Sequence, residues 1–300
     1  MNEDLLINCT LCPRECRINR LAGYRGRCGM TSEVVVARAA LHMWEEPCIS
    51  GEAGSGTVFF SGCALGCVYC QNHNIASGAA GKSITVERLA EIFIELQQKG
   101  ANNINLVTPS HFIPQIKEAL INSKKLGLKI PIVYNSSGYE RPESLQFLEG
   151  LIDIYLPDFK YLSSDLGLKY SKVKDYSDYA KKSIAEMFRQ VGKPEFSQNG
   201  IMEKGMIVRQ LILPGQAEDS KQILKYLYET YKDDIYISIM SQYTPLENVG
   251  KYPEINRKLT EAEYDDVVDY GIDLGIENGF IQEGETATES FIPEFNGEGV

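Results

Sequence analysis

The stretch SGCALGCVYCQN, residues 61–72, places Cys63, Cys67 and Cys70 at C-x3-C-x2-C spacing. Thiolates are soft ligands that suit zinc and iron–sulfur clusters. A closed structural metal site takes four protein ligands, so three thiols in one turn leave a corner open. That arrangement favours a 4Fe-4S cube whose fourth iron is free; zinc completed by His73 is the competing arrangement. Gly62 and Gly66 give this loop the backbone freedom to wrap a cluster. A second group, Cys9, Cys12, Cys16 and Cys28, follows C-x2-C-x3-C-x11-C. Four thiolates with none to spare fit a closed zinc site, and an auxiliary iron–sulfur cluster is chemically as suitable. Cys48 stands alone between the groups and has the character of a small buried hydrophobe.

The composition bounds where such chemistry operates. A net charge of −11 over 300 residues leaves no basic field to attract nucleic acid or an anionic membrane. No apolar run approaches the ~18 residues of a membrane span. The start, MNEDLLINCTLC, is acidic and lacks the basic and apolar regions of a signal peptide. The expected location is the cytoplasm, where reduced, clustered thiols are metal ligands rather than disulfides.

The elements that must position these cysteines begin at residue 57. Residues 1–56 form a cysteine-rich, metal-binding front segment followed by a connector. The front has too little apolar surface for a core of its own, so it needs a metal or must lie against the main body. Its five arginines, Arg14, Arg17, Arg20, Arg25 and Arg27, make a basic patch in an acidic chain. That patch is either a solvated face or a docking surface for acidic groups of a partner or of the chain itself. In residues 57–300, TVFFSG, NINLV, IPIVYN, IDIYLPDFKY, MIVRQLILPG and YISIM predict strands, with GFIQE closing the core. Helical patterns run between them, as in SITVERLAEIFIELQQKG, with Gly100 as its stop, and HFIPQIKEALINSKKLG, with Pro114 in its first turn. The stretch 162–204 is legible only at SDYAKKSIAEMFRQVG. About six alternations of strand and helix predict a parallel α/β sheet.

Ligands of parallel α/β folds sit at the carboxyl ends of the strands. Here those ends are polar: SGC, TPSH, NSSGY, PDFK, LPG and SQYTP. They bring forward Thr108, Asn135, Ser137, the pair Asp158 and Lys160, and Gln242 with Tyr243. Arg209 lies inside an apolar strand, where a charge must be paired or face a site.

CALGCVYCQN resembles the signature of radical S-adenosylmethionine (radical SAM) enzymes, with Tyr69 as its aromatic residue. The resemblance implies a 4Fe-4S cluster on Cys63, Cys67 and Cys70. It implies that SAM chelates the open iron and is reductively cleaved to a 5′-deoxyadenosyl radical that abstracts hydrogen. It also implies a partial (β/α)6 TIM-like barrel, in agreement with the alternation read above. CTLCPRECRINR, INLVTPSHFIPQ, YNSSGYE, IDIYLPDFKY, VRQLILPG, SIMSQYTP and GFIQE make the chain similar, over nearly its whole length, to proteins related to pyruvate formate-lyase activating enzyme. That likeness implies a glycyl radical enzyme as protein substrate and an electron donor such as flavodoxin or ferredoxin. It assigns Asn72 to support of the loop and the pair Asp158 and Lys160 to the neighbourhood of SAM; Asn135, Ser137 and Arg209 are further candidates for SAM contact by their positions. Where the family carries Gly-Gly-Glu for the SAM amino group, this chain has NLVTP, with Thr108 in place of the glutamate. Thr108 offers a hydroxyl without a charge, and a strand-end cap competes with a ligand role there. A radical SAM enzyme for another protein or a small molecule, and a non-catalytic iron–sulfur or zinc protein, are the alternatives.

Overall fold

The apolar runs from residue 57 onward become strands of one sheet in the computed structural model, which describes residues 4–282 and 293–300. In chain order the strands are β1 (Val34–His42), β2 (Ser55–Phe60), β3 (Lys82–Ile84), β4 (Ile104–Val107), β5 (Ile132–Ser136), β6 (Ile154–Pro157), β7 (Glu195–Phe196), β8 (Met202–Leu211), β9 (Tyr236–Met240) and β10 (Gly279–Ile281). The helices are α1 (Asp4–Ile7), α2 (Pro47–Ser50), α3 (His73–Ala76), α4 (Val86–Gln98), α5 (Ile113–Lys125), α6 (Pro142–Leu145), α7 (Ser164–Ser171), α8 (Tyr176–Val191), α9 (Ala217–Tyr231) and α10 (Glu261–Leu274). The strand order is β10-β9-β8-β6-β5-β4-β2-β1-β3, with β7 hairpinned onto β8. From β2 to β10 every neighbouring pair is parallel, which is the architecture of a partial α/β barrel.

Local chemistry starts and stops these elements where expected. Thr85 caps α4 by accepting from the Arg88 amide, and Gly100, at φ 87°, ends that helix in the left-handed region. Leu89, Ile92, Phe93 and Leu96 of α4 are buried against the sheet, each worth about 1.5–3 kcal/mol. Pro114 sits in the first turn of α5, and Thr260 and Glu263 form a reciprocal capping box on α10.

Three readings change. The connector between residues 31 and 56 contains β1, a nine-residue strand antiparallel to β2. The poorly legible stretch contains α7 and the β7 hairpin. Of GFIQE, residues 279–281 form a seventh parallel strand, while Glu283 lies outside the described residues.

Because β1 runs back along β2, its end His42 pairs with Ser55, the first residue of β2. Residues 43–50 therefore lie at the amino ends of the barrel strands. There Cys48 and Ile49 of α2 pack among Val133, Ile154, Leu156, Met202 and Ile207, plugging that end with an apolar layer. On the outer side of β1, Val34, Val35 and Val36 pair with β3. Immediately beyond, the Gly297 amide donates to the Ala37 carbonyl and the Ala39 amide to the Glu298 carbonyl.

Candidate functional site

Cys63, Cys67 and Cys70 lie on the loop from the carboxyl end of β2 to α3. Gly62, at φ 89°, is held so closely that a Cβ there would approach the Cys28 carbonyl to 2.5 Å and the Met30 side chain to 2.6 Å. The amides of Gly66 and Leu65 point at the Cys63 sulfur, and the Asn72 amide points at that of Cys70. The Ser171 hydroxyl donates to Cys67 Sγ at 3.1 Å and is itself within 2.9 Å of the Tyr161 hydroxyl. Burial, with the neighbouring thiols, pushes Cys70 up to about 12 and raises Cys63, so in the absence of metal these thiols hold their protons. Metal binding then releases protons, as thiolate sites require.

The chemistry of this donor set fits a three-thiolate cluster. Three sulfurs near N–H and O–H donors open onto a cavity of about 420 Å³, which His42 lines as well, and among the described residues no imidazole joins the sulfurs in a single-ion site. His73 is solvent-exposed on α3 and does not complete a zinc site. Among the described residues no three His, Cys, Asp or Glu side chains converge on a single-ion site. Tyr69 is buried against Tyr161, Tyr170 and Tyr243 and also reaches the cavity wall, so the aromatic of the signature holds the loop down. Tyr243 donates to the Ile255 carbonyl at 2.6 Å and serves packing; Gln242 reaches the cavity, and its carbonyl accepts from Gln71 at 2.6 Å.

Across the cavity the strand-end residues converge as expected. Lys160 Nζ is 2.7 Å from Asp158 Oδ2, and Arg209 Nε is 2.9 Å from Asp158 Oδ1. Arg209 also donates to Asn135 Oδ1 at 2.6 Å and Glu45 Oε2 at 3.2 Å. Burial would raise Asp158, but Arg209 and Lys160 outweigh it and hold the carboxyl below its ordinary value. Ser137 and Asn72 line the cavity as well, and the Ser137 carbonyl accepts from the Tyr176 hydroxyl at 2.8 Å. Thr108 lines it from the end of β4 at φ 58°, a left-handed conformation that costs a β-branched residue energy and marks the position as more than a turn.

Two residues of this site were not foreseen. Glu45 and Glu46, from the loop after β1, enter the barrel from its amino end. Glu45 accepts from Asn105 at 3.0 Å and Asn135 at 3.4 Å in addition to Arg209. Burial raises both carboxyls above the usual range, with Arg209 pulling the other way. The only signal in the sequence was a tandem of acids before Pro47, which is also what a turn looks like.

The front segment is fastened to the cluster loop. Arg14 donates to the carbonyls of Ala64 at 2.9 Å and Leu65 at 3.0 Å on that loop, and to those of Ser171 and Lys172 at 3.0 Å at the end of α7. Arg20 is buried and donates to the His111 carbonyl at 2.6 Å. The basic patch thus turns two of its arginines inward onto the chain's own carbonyls rather than onto acids. Cys9, Cys12 and Cys28 are buried, and the Arg27 amide donates to Cys16 Sγ at 3.3 Å. Burial, with Cys28 and Cys9 nearby, pushes Cys12 up to about 12.

A family model described as the radical SAM superfamily matches residues 57–227. A protein of Methanocaldococcus jannaschii, itself uncharacterized, is 29% identical over 283 residues, spanning 91% of this chain and 78% of its own. Three solved structures share the fold at a TM-score of 0.50. They are SuiB of Streptococcus suis bound to S-adenosylmethionine (15% identity; 74% of this chain, 48% of that one), the methylornithine synthase PylB (14%; 70% and 59%) and the FeFe-hydrogenase maturase HydG (15%; 79% and 53%). The chain spans about half the length of these structures, and at such identity the likeness concerns the fold.

Proposed function

Because the chain belongs to the radical SAM superfamily, we propose that Cys63, Cys67 and Cys70 hold a 4Fe-4S cluster and that the adjoining cavity binds S-adenosylmethionine. The observation that carries this reading is the three-sulfur loop, satisfied by N–H and O–H donors, opening without a fourth protein ligand onto a cavity lined with polar strand ends. When bound, the cluster supplies the electron that cleaves SAM to methionine and a 5′-deoxyadenosyl radical for hydrogen abstraction. The chain's own residues seat the reactants. Leu65, Gly66, Asn72 and Ser171 direct donors at the ligand sulfurs. Asn135, Ser137, Asp158 and Lys160 offer hydrogen-bonding groups to the cofactor, and Thr108 offers its hydroxyl from a strained position. Tyr69 and its aromatic neighbours keep water from the loop's inner face.

In this proposal residues 57–300 are the catalytic barrel and residues 1–56 a metal-binding front. Its four cysteines do not converge on a single-ion site in this structure and would have to draw together to hold zinc or an auxiliary cluster, which metal analysis tests. An electron donor such as flavodoxin or ferredoxin and a cytoplasmic location go with this chemistry. Activation of a glycyl radical enzyme rests on the motif likeness to the activating enzymes. Action on another substrate is favoured by one observation, the buried acid pair Glu45 and Glu46 on the cavity wall, to which a glycine offers no side-chain cation.

Anaerobically reconstituted protein given SAM and dithionite is expected to form 5′-deoxyadenosine or to bind SAM, while Cys70→Ala does neither. A chain that holds a cluster yet neither binds nor cleaves SAM would overturn the enzyme reading in favour of a non-catalytic iron–sulfur protein.

A further inference from the structure

The charges around the barrel interior do not cancel. Three carboxylates, Glu45, Glu46 and Asp158, face two cations, Arg209 and Lys160, in the same cavity. Both cations are committed: Lys160 to Asp158, and Arg209 to Asp158, Glu45 and Asn135. Glu45 is saturated by Arg209 and two amides. Glu46 is different. It is 92% buried, by its 8% exposure, lies on the cavity wall, and its Oε2 has no hydrogen-bond partner. The Ser238 hydroxyl and the Glu46 amide serve the rest of the group and Arg209 attracts it through space, but Oε2 stays without a donor.

An unmet buried carboxylate oxygen is expensive and persists where something else completes it. The missing partner is a donor carrying positive charge, because an anion would meet three acids and find both cations engaged. A bare metal ion has no three converging His, Cys, Asp or Glu donors here among the described residues. Position agrees with a substrate rather than with SAM ligation at the cluster. Glu46 follows β1 at the amino end of the barrel, whereas the cysteine loop caps the carboxyl end of β2, and the one cavity joins them.

We propose that Glu46 is the substrate-recognition residue of this barrel and that the substrate presents it with a protonated nitrogen, an ammonium or a guanidinium. This rests on the radical SAM reading for the chemistry but not on the glycyl radical reading. The cation belongs either to a free small molecule or to a Lys or Arg side chain of a polypeptide.

The test is calorimetric titration of the reconstituted full chain, with and without SAM, using probes matched except for charge. L-lysine is compared with Nε-acetyl-lysine, L-arginine with L-citrulline, and the peptide Gly-Gly-Lys-Gly-Gly with its Nε-acetylated form. At least a tenfold preference for the cation is expected in one pair or more, and Glu46→Gln is expected to abolish it. A preference confined to the free amino acids assigns a small molecule; one confined to the peptide assigns a polypeptide. No preference in any pair, or a preference that survives Glu46→Gln, overturns the proposal. In the empty chain Glu46→Gln should melt at or above the wild-type temperature, since its Oε2 has no hydrogen bond to lose and Arg209, which attracts it, keeps Asp158 and Glu45. A marked fall, or failure of the amide variant to fold, would make Glu46 a structural group and sink the idea; Glu46→Ala, titrated alongside, should lose the charge preference as well. Failure of SAM binding or cleavage would count against the proposed function, while charge preference is read independently of it.

Discussion

Arg209 is the cation on which the barrel interior depends, and its removal has a calculable cost. Its guanidinium holds Asp158 at 2.9 Å, Glu45 at 3.2 Å and Asn135 at 2.6 Å. The Glu45 side chain keeps only 9% of its surface exposed. Arg209→Met deletes the cation and leaves Glu45 with two amide donors and no charge partner, while Asp158 retains Lys160. Removing one partner of a buried pair costs ~3–5 kcal/mol, which at ~2–4 °C per kcal/mol lowers the melting temperature by roughly 6–20 °C. Removing both charges is a different experiment. Arg209→Met combined with Glu45→Gln removes both members of that pair, although Glu46 still loses the attraction of Arg209, so the double variant should fall short of the summed single costs by ~0.5–3 kcal/mol. Urea unfolding of the metal-free chain and of both single variants closes the cycle. If the two single costs simply add in the double variant, Glu45 and Arg209 are not coupled, and the charge reasoning for this cavity fails with them.

The remaining expectations concern separate parts of the molecule. Glu140 is fully buried and accepts from Ser110 at 2.5 Å and from Tyr134 at 3.4 Å; burial pushes its carboxyl up to about 7 from 4.5. A raised folded-state pKa means the stability it contributes is complete below about pH 4.5 and is lost as pH rises through about 7. Relative to Glu140→Gln, wild type should lose up to about 3 kcal/mol across that window in urea unfolding, and parallel profiles would refute the assignment. Thr108→Gly relieves a left-handed threonine and should stabilise the chain by about 1 kcal/mol; if Thr108 serves SAM, affinity by calorimetry falls at the same time. Arg14→Ala removes four bonds between the front segment and the cluster loop, so iron should pass faster to a chelator in a timed absorbance assay, and an unchanged rate would mean that the clasp is idle. Cys48→Ala, in the apolar plug, should keep full iron content and cost only about 1 kcal/mol.

What was legible in the sequence follows the range of the forces involved. The cysteine loop is a local constellation, so spacing alone exposes it. The strands β4, β5 and β6 are short apolar runs bounded by breakers, and their polar ends alone single out Thr108, Asn135, Asp158 and Lys160. Arg209 could be singled out because a charge in an apolar strand must be answered. β1 was not visible in the same way. VVVARAALH breaks its apolar run with an arginine and small residues, and only pairing with β2, a contact distant in sequence, makes it a strand. The same event carries Glu45 and Glu46 beneath the barrel. Their role depends on where the chain is led, and no local pattern records that. α7 escaped for a simpler reason: SDLGLKYS is two turns long with a glycine inside, and its support comes from the Ser163 cap and from burial of Tyr170.

The outer face of β1 has one more implication. Its backbone groups are taken up first by β3, from Val34 to Val36, and then by Gly297 and Glu298 at Ala37 and Ala39. A sheet edge left open is a template for another chain, and small residues such as Ala37, Ala39 and Ala40 make a permissive one. Gly299 lies so close to this strand that a Cβ would meet the Ala39 carbonyl at 2.0 Å, so no other residue type can be laid there without lifting the cover. Residues 297–299 thus cover this edge, and a label or truncation that displaces them is expected to raise self-association through it, measurable by light scattering.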